Sequence, residues 1–197
     1  MLLQERMGRL IGHLAGGGYT EAALDLTKIV LALKDPAAES GPGLRTRPEG
    51  YLRDWEYKEI IRLRMTALVR ACGTGALRLL CGLLDQVLRI EWSANEEESA
   101  VRFREDYSMI WRSNLASADH PGNPNIRDSL LDAVGDAALQ IVGDQPDLVD
   151  QLLAELQDRH WTIFWRISLD LLRGVASVGL PLAGIRLIDQ DLPATRV

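Results

Sequence analysis

Cysteine is nearly missing from these 197 residues: only Cys72 and Cys81 are present. Two thiols make neither a disulfide framework nor a four-ligand zinc site, and they fit a reducing, cytoplasmic setting. Histidine is scarce too. His13, His120 and His160 stand apart, with no second His or Cys at helical metal spacing. No Glu-x-x-His pair is available to build a metal site inside a helix bundle. Phosphate-loop chemistry is absent as well, because Gly16-Gly17-Gly18 runs into Tyr19-Thr20-Glu21 where a Walker loop requires Gly-Lys-Ser/Thr. Gly73-Thr74-Gly75 lacks the third glycine of a dinucleotide fingerprint and follows a helical stretch. Both glycine clusters read as turns. The chain also lacks alternating β-branched runs bounded by hairpin turns, which excludes a β fold.

Long apolar runs are missing. The most apolar stretch, 169–192, is broken by Arg173, Pro181 and Arg186, so it is no membrane span. Residues 1–18 interleave Gln4, Glu5, Arg6 and Arg9 with apolar positions, which reads as a helix rather than the apolar core of a signal peptide. Net charge is −6, an acidic balance that argues against general nucleic-acid binding. Arg45, Arg47, Arg53, Arg62, Arg64 and Arg70 do concentrate in one region, but Glu49, Asp54, Glu56 and Glu59 dilute them. With 47% hydrophobic residues, the chain can bury a sizeable core.

What is present is helical periodicity. Over 126–142 the apolar residues fall at Ile126, Leu130, Leu131, Val134, Ala137, Ala138 and Ile141, with Arg127, Asp128, Asp132, Asp136 and Gln140 opposite. Similar patterns predict helices over 2–14, from Thr20 to a stop at Pro36, over 55–71 with Asp54 as N-cap, and over 76–91. Further helices are expected over 146–158, with Pro146 in the first turn, over 161–173, and as a short element at 182–189. Ser93 with Glu96 spells a capping box for another helix. Prolines and glycines make 35–54 the best loop or linker, and 119–125 a second loop.

The expected fold is all-α: an irregular α-solenoid of stacked antiparallel helix pairs, HEAT-like or TPR-like, with an irregular helical bundle as the alternative. The expected organisation is an N-terminal helix pair over 1–34, a loop or linker over 35–54 and a helical-repeat region over 55–197; one continuous domain over 1–197 is the other reading.

No catalytic, cofactor-binding or metal constellation emerges, so the chain reads as non-enzymatic. Glu96, Glu97, Glu98, Glu105 and Asp106 lack the glycine turn of a calcium loop and read as a solvated face or a surface for a basic partner. Cys72 and Cys81 flank a turn; they either approach one another or are buried singly as small apolar residues. The tryptophans carry more. Trp161 and Trp165 lie four apart, Trp111 precedes Arg112, and Trp55 lies near Tyr51 and Tyr57. Packing between helices is one role for such residues, and lining a recognition surface is the other. Trp111, Arg112, Trp165 and Arg166 are the first choices for a partner-binding surface.

Three segments carry a family resemblance. Asp106-Tyr107-Ser108-Met109-Ile110-Trp111-Arg112, Ile126-Arg127-Asp128-Ser129-Leu130-Leu131-Asp132-Ala133-Val134 and Trp161-Thr162-Ile163-Phe164-Trp165-Arg166-Ile167 resemble, in that order, parts of the helical-repeat (HEAT-like) regions of large bacterial signal-transduction NTPases of the NACHT-like type. The resemblance spans about residues 55–173 and adds Tyr107 to the candidate partner-binding residues. It implies a scaffold or sensor module that binds a protein partner, such as a large NTPase, in an anti-phage defence or signalling assembly. Self-association into a homo-oligomer is compatible with it. The NTPase domain itself has no counterpart here. A detached or truncated fragment of a larger NTPase, inert alone, is therefore the alternative; the apolar 180–185 segment fits it. Arg127 and Asp128 are expected to tie one helix pair to the next.

Overall fold

The structure, a computed structural model, describes residues 3–34, 47–96 and 125–177. The acidic segment beyond Glu96, the loop up to Pro124 and the short helix expected at 182–189 lie outside the described residues. Among the described residues the protein is all-helical. Its elements are α1 (Leu3–Gly16), α2 (Thr20–Val30), α3 (Asp54–Cys72), α4 (Thr74–Glu96), α5 (Ile126–Asp144), a 3-10 turn (Pro146–Leu148), α6 (Val149–Gln157) and α7 (Thr162–Ser177).

The helices pack in an order that follows the chain. Consecutive partners are α1 with α2, α2 with α3, α3 with α4, α4 with α5, and α6 with α7. The 3-10 turn joins α5 to α6 and touches both. Each helix also packs on the one two places further on. This makes one row of α1, α3, α5 and α7 and another of α2, α4 and α6. One apolar core cluster reaches from Ile11 to Val175 through both rows.

The middle helices show why. α5 buries Ile126, Leu130, Leu131, Val134, Ala137, Ala138 and Ile141, the stripe read from the sequence, and also Ser129, Ala133 and Val142. A band that wide is needed because α5 meets α3, α4 and α7. Its start is fixed by Asn125. The Asn125 side-chain oxygen accepts from the Asp128 N–H at 2.6 Å, and its amide nitrogen donates to Asp128 Oδ2 at 2.7 Å. Such a cap contributes about 1 kcal/mol.

Three local expectations are corrected. Asp54 is not the N-cap of α3; Arg53 takes that position in extended conformation. Glu56 is buried and its Oε2 accepts from the Arg53 N–H at 3.0 Å, while Asp54 is free to meet Arg47. Ser93 starts no new helix, since α4 runs unbroken to Glu96. No proline or glycine follows Gly82 in α4, so continuing the backbone ladder satisfies more groups than a fresh start would. The turn expected at 73–75 shrinks to Gly73 alone, with Thr74 and Gly75 already helical.

The ends of the 35–46 segment are held together. Lys34 N–H donates to the Glu49 carbonyl at 2.8 Å, and Leu33 and Gly50 form an isolated antiparallel bridge. Tyr57, fully buried, donates its hydroxyl to the Leu31 carbonyl at 3.1 Å and anchors the end of α2 to α3. Burial pushes that phenol well above its ordinary range, so it stays a neutral donor.

Candidate partner-binding surface

Of the five candidate residues, Tyr107, Trp111 and Arg112 lie outside the described residues. Trp165 and Arg166 sit on α7, both half-buried. The buried face of α7 is Ile163, Phe164, Ile167, Ser168, Leu171, Leu172 and Val175, so Trp165 and Arg166 lie on its flank. Arg166 is already engaged with other groups.

The other tryptophans divide. Trp161 packs against the core, and its indole N–H donates to Asp85 Oδ1 on α4 at 2.7 Å. Arg89 holds the same carboxylate at 2.9 Å. A second tie lies alongside: Arg78 of α4 meets Glu155 of α6 at 2.9 Å, and Arg159 meets it at 3.2 Å. The Arg159 guanidinium also lies 5.8 Å from the centre of the Phe164 ring. Two carboxylates thus dock the corner between α6 and α7 onto α4. Trp161 serves that docking. Burial works to raise the Glu155 pKa, but hydrogen bonds from Arg78 and Arg159 outweigh it and hold the group below its ordinary value. Glu155→Gln should therefore cost about 1 kcal/mol at neutral pH. A group depressed in the folded state stabilises above its unfolded pKa and loses that contribution as pH falls through the folded value. The gap between wild type and variant should close as pH drops below 4.5 and through the lowered value, read by urea titration across pH.

Arg127 of α5 meets Glu91 of α4 at 3.5 Å, the expected tie between neighbouring helices. Asp128 instead serves the start of its own helix. Gln140 donates to the Thr66 carbonyl of α3 at 3.0 Å, joining α5 to the same row.

Trp55 stands out as exposed, at 51%. It borders a trough of about 480 Å3 between α1 and α3. The α3 wall carries Trp55, Glu59 and Leu63 in one i, i+4, i+8 line, with Glu56, Ile60 and Arg64 in the next. The α1 wall carries Glu5, Gly8 and Arg9. Arg64 lies across α1 where glycines leave room: a Cβ at Gly8 would sit 3.3 Å from Arg64 Nε, and one at Gly12 would sit 3.7 Å from its terminal nitrogen. Sequence reading noted Trp55 and the arginine-rich stretch but not this trough. The available signal was the Gly8-x-x-x-Gly12 spacing, one turn-pair of α1 stripped of side chains.

The two thiols face different surroundings. Cys81 is buried, with its pKa pushed up to about 12 by desolvation first, so it holds a proton and packs. Cys72 is half-buried, lies 3.7 Å from the Thr20 carbonyl, and is raised by burial too. Both are free thiols. His13 and His160 are exposed on separate elements, and His120 lies outside the described residues. Among the described residues no group of three or more His, Cys, Asp or Glu is placed to hold a metal ion, and no helix is long and apolar enough to cross a membrane. No family model matches the chain, and neither a curated protein nor a solved structure matches it.

Proposed function

We propose that the chain is a non-enzymatic helical-repeat scaffold or sensor: an irregular α-solenoid that binds a protein partner in a cytoplasmic bacterial defence or signalling assembly. The supporting observation is the row order of the helices. In a solenoid each unit contacts only its neighbours, and the rows present extended faces to partners. Among the described helices the main contacts reach one or two helices along the chain and no further. A closed bundle instead returns late helices onto early ones. The resemblance of three segments to NACHT-like helical arrays supplies the assembly, with a large NTPase as the partner in view.

A second reading, a detached piece of a larger NTPase that is inert alone, draws on Ile29 and Tyr19. They are 67% and 66% exposed at the α2 end of the rows, where a longer array would continue. Capture of the tagged chain from native lysate, followed by gel filtration and mass spectrometry, separates the two. Recovery of one defined protein in a complex that survives gel filtration is the expected result. Recovery of the chain alone would favour the inert fragment.

A further inference from the structure

The trough between α1 and α3 has an apolar bed and, among the described residues, one charge that no other group answers. Trp55 and Leu63 are 51% and 47% exposed there, above a buried Ile60. Large apolar side chains kept in water at one site mark a place where something else is covered. The other charges along the trough are met within the chain. Arg9 pairs with Glu5, Glu56 with Arg53 at 3.3 Å, and Glu59 with Arg62 at 2.8 Å. Arg53 also lies 5.5 Å from the centre of the Trp55 ring, capping one face of the indole. Arg64 differs. It is half-buried, laid against the Gly8 and Gly12 backbone, and makes no hydrogen bond or ion pair among the described residues.

A guanidinium carries five donors in a rigid fork whose geometry suits a carboxylate. Held half out of water without an acceptor, it is worth more to an incoming anion than a fully solvated lysine would be. The trough runs along α3 from Trp55 to Arg64, about 14 Å at the helical rise. That length takes roughly two to three turns of a helix laid in the groove, the mode in which an apolar stripe supplies anchors and a flanking charge sets the register.

We propose that this trough is the docking site for an amphipathic helix of the protein partner, with its apolar stripe on Trp55, Ile60 and Leu63 and an aspartate or glutamate on Arg64. This rests on the partner-binding reading above and names the surface and the chemistry. The carboxylate requirement follows from charge: an incoming acid answers Arg64, whereas an incoming lysine would face Arg64 and find Glu56 and Glu59 already occupied.

The test uses the full chain, labelled with 15N, and two alanine-based helical peptides. Both carry leucines on one face; one has glutamates on its flank and the other lysines. The glutamate peptide should shift the amides of Gly8 and Gly12, the Trp55 indole N–H and the Arg64 Nε–H, and the lysine peptide should not. Arg64→Gln should weaken the glutamate peptide about tenfold or more, the scale of one lost charge-assisted hydrogen bond. Trp55→Ala should weaken the glutamate peptide as well. Equal binding of the two peptides, no shift with either, or an unchanged affinity for Arg64→Gln would overturn the proposal. A small hydrophobic acid such as 4-phenylbutyrate binding where neither peptide does would overturn it in favour of a small-ligand pocket. Unchanged Gly135 and Cys81 amide positions in both variants would show that the fold persists. Lysate capture repeated with Arg64→Gln keeps the two readings apart. A partner retained equally by wild type and variant leaves the scaffold standing and removes this site.

Discussion

Phe164→Ala should lower folding stability by about 3–5 kcal/mol, the range for deleting a buried aromatic side chain. Phe164 is fully buried and belongs to the core cluster, where α7 closes onto α5 and α6. The substitution opens a cavity where, among the described residues, α5 and α6 are the main partners of α7. It also removes the ring beneath the Arg159 guanidinium, which in turn steadies Glu155 and its bond to Arg78. One deletion therefore loosens apolar packing and the polar corner together. Urea unfolding followed by circular dichroism at the helix minimum should show a lower midpoint. A loss below about 1 kcal/mol would mean that the end of the row is already loosely packed.

Gly73→Ala is the second large effect, and its cause is different. Gly73 alone connects α3 to α4, with φ 53° and ψ −126°. That combination suits a residue with no Cβ and strains any other. The added methyl would meet nothing within 4 Å, so the cost is backbone strain and not a clash. About 2 kcal/mol is expected, within the range for a residue held in a sparsely populated region. The Gly73 N–H also closes α3 by donating to the Val69 carbonyl at 2.7 Å, so relaxing the turn would weaken that bond. Gly135→Ala is the matched control. It lies inside α5 with open space around its Cβ position, and the same methyl there should raise stability by about 0.5–1 kcal/mol. Thermal melts of the two variants should move in opposite directions. If they move together, the strain argument at Gly73 fails.

The helices themselves were readable because each one writes its buried face into local spacing. The 126–142 stripe needed no knowledge of partners: every apolar position named for it is buried in α5. The α3 stripe of Tyr57, Ile61, Met65, Leu68 and Cys72 follows the same rule up to its last member: the first four are buried and Cys72, at the helix end, is half-buried. Helix ends were less legible. The Ser93 and Glu96 pair has the letters of a capping box, yet α4 runs on through both. Trp161 illustrates a harder limit. Its partner Asp85 lies 76 residues away, and no period or motif links two residues that meet only because the corner between α6 and α7 docks on α4. The trough was hidden for the opposite reason: it is made by what α1 lacks at Gly8 and Gly12 and by the lie of Arg64 across that gap. Residues that act by leaving space give no signal in hydrophobic patterning. The tryptophan reading needed tertiary context too, since Trp161 is bonded into the corner while Trp55 stands exposed.

The short reach of the helix contacts has a kinetic meaning. The pairs α1–α2 and α3–α4 close short loops, which lose little chain entropy before contacts form, whereas α2–α3 and α4–α5 are joined across longer segments. Folding can begin at any well-formed pair, such as α3 and α4 across Gly73, and spread outward one helix at a time. The hairpin of α3 and α4 is then a seed, and the two ends are the last parts to be added and the first to fray.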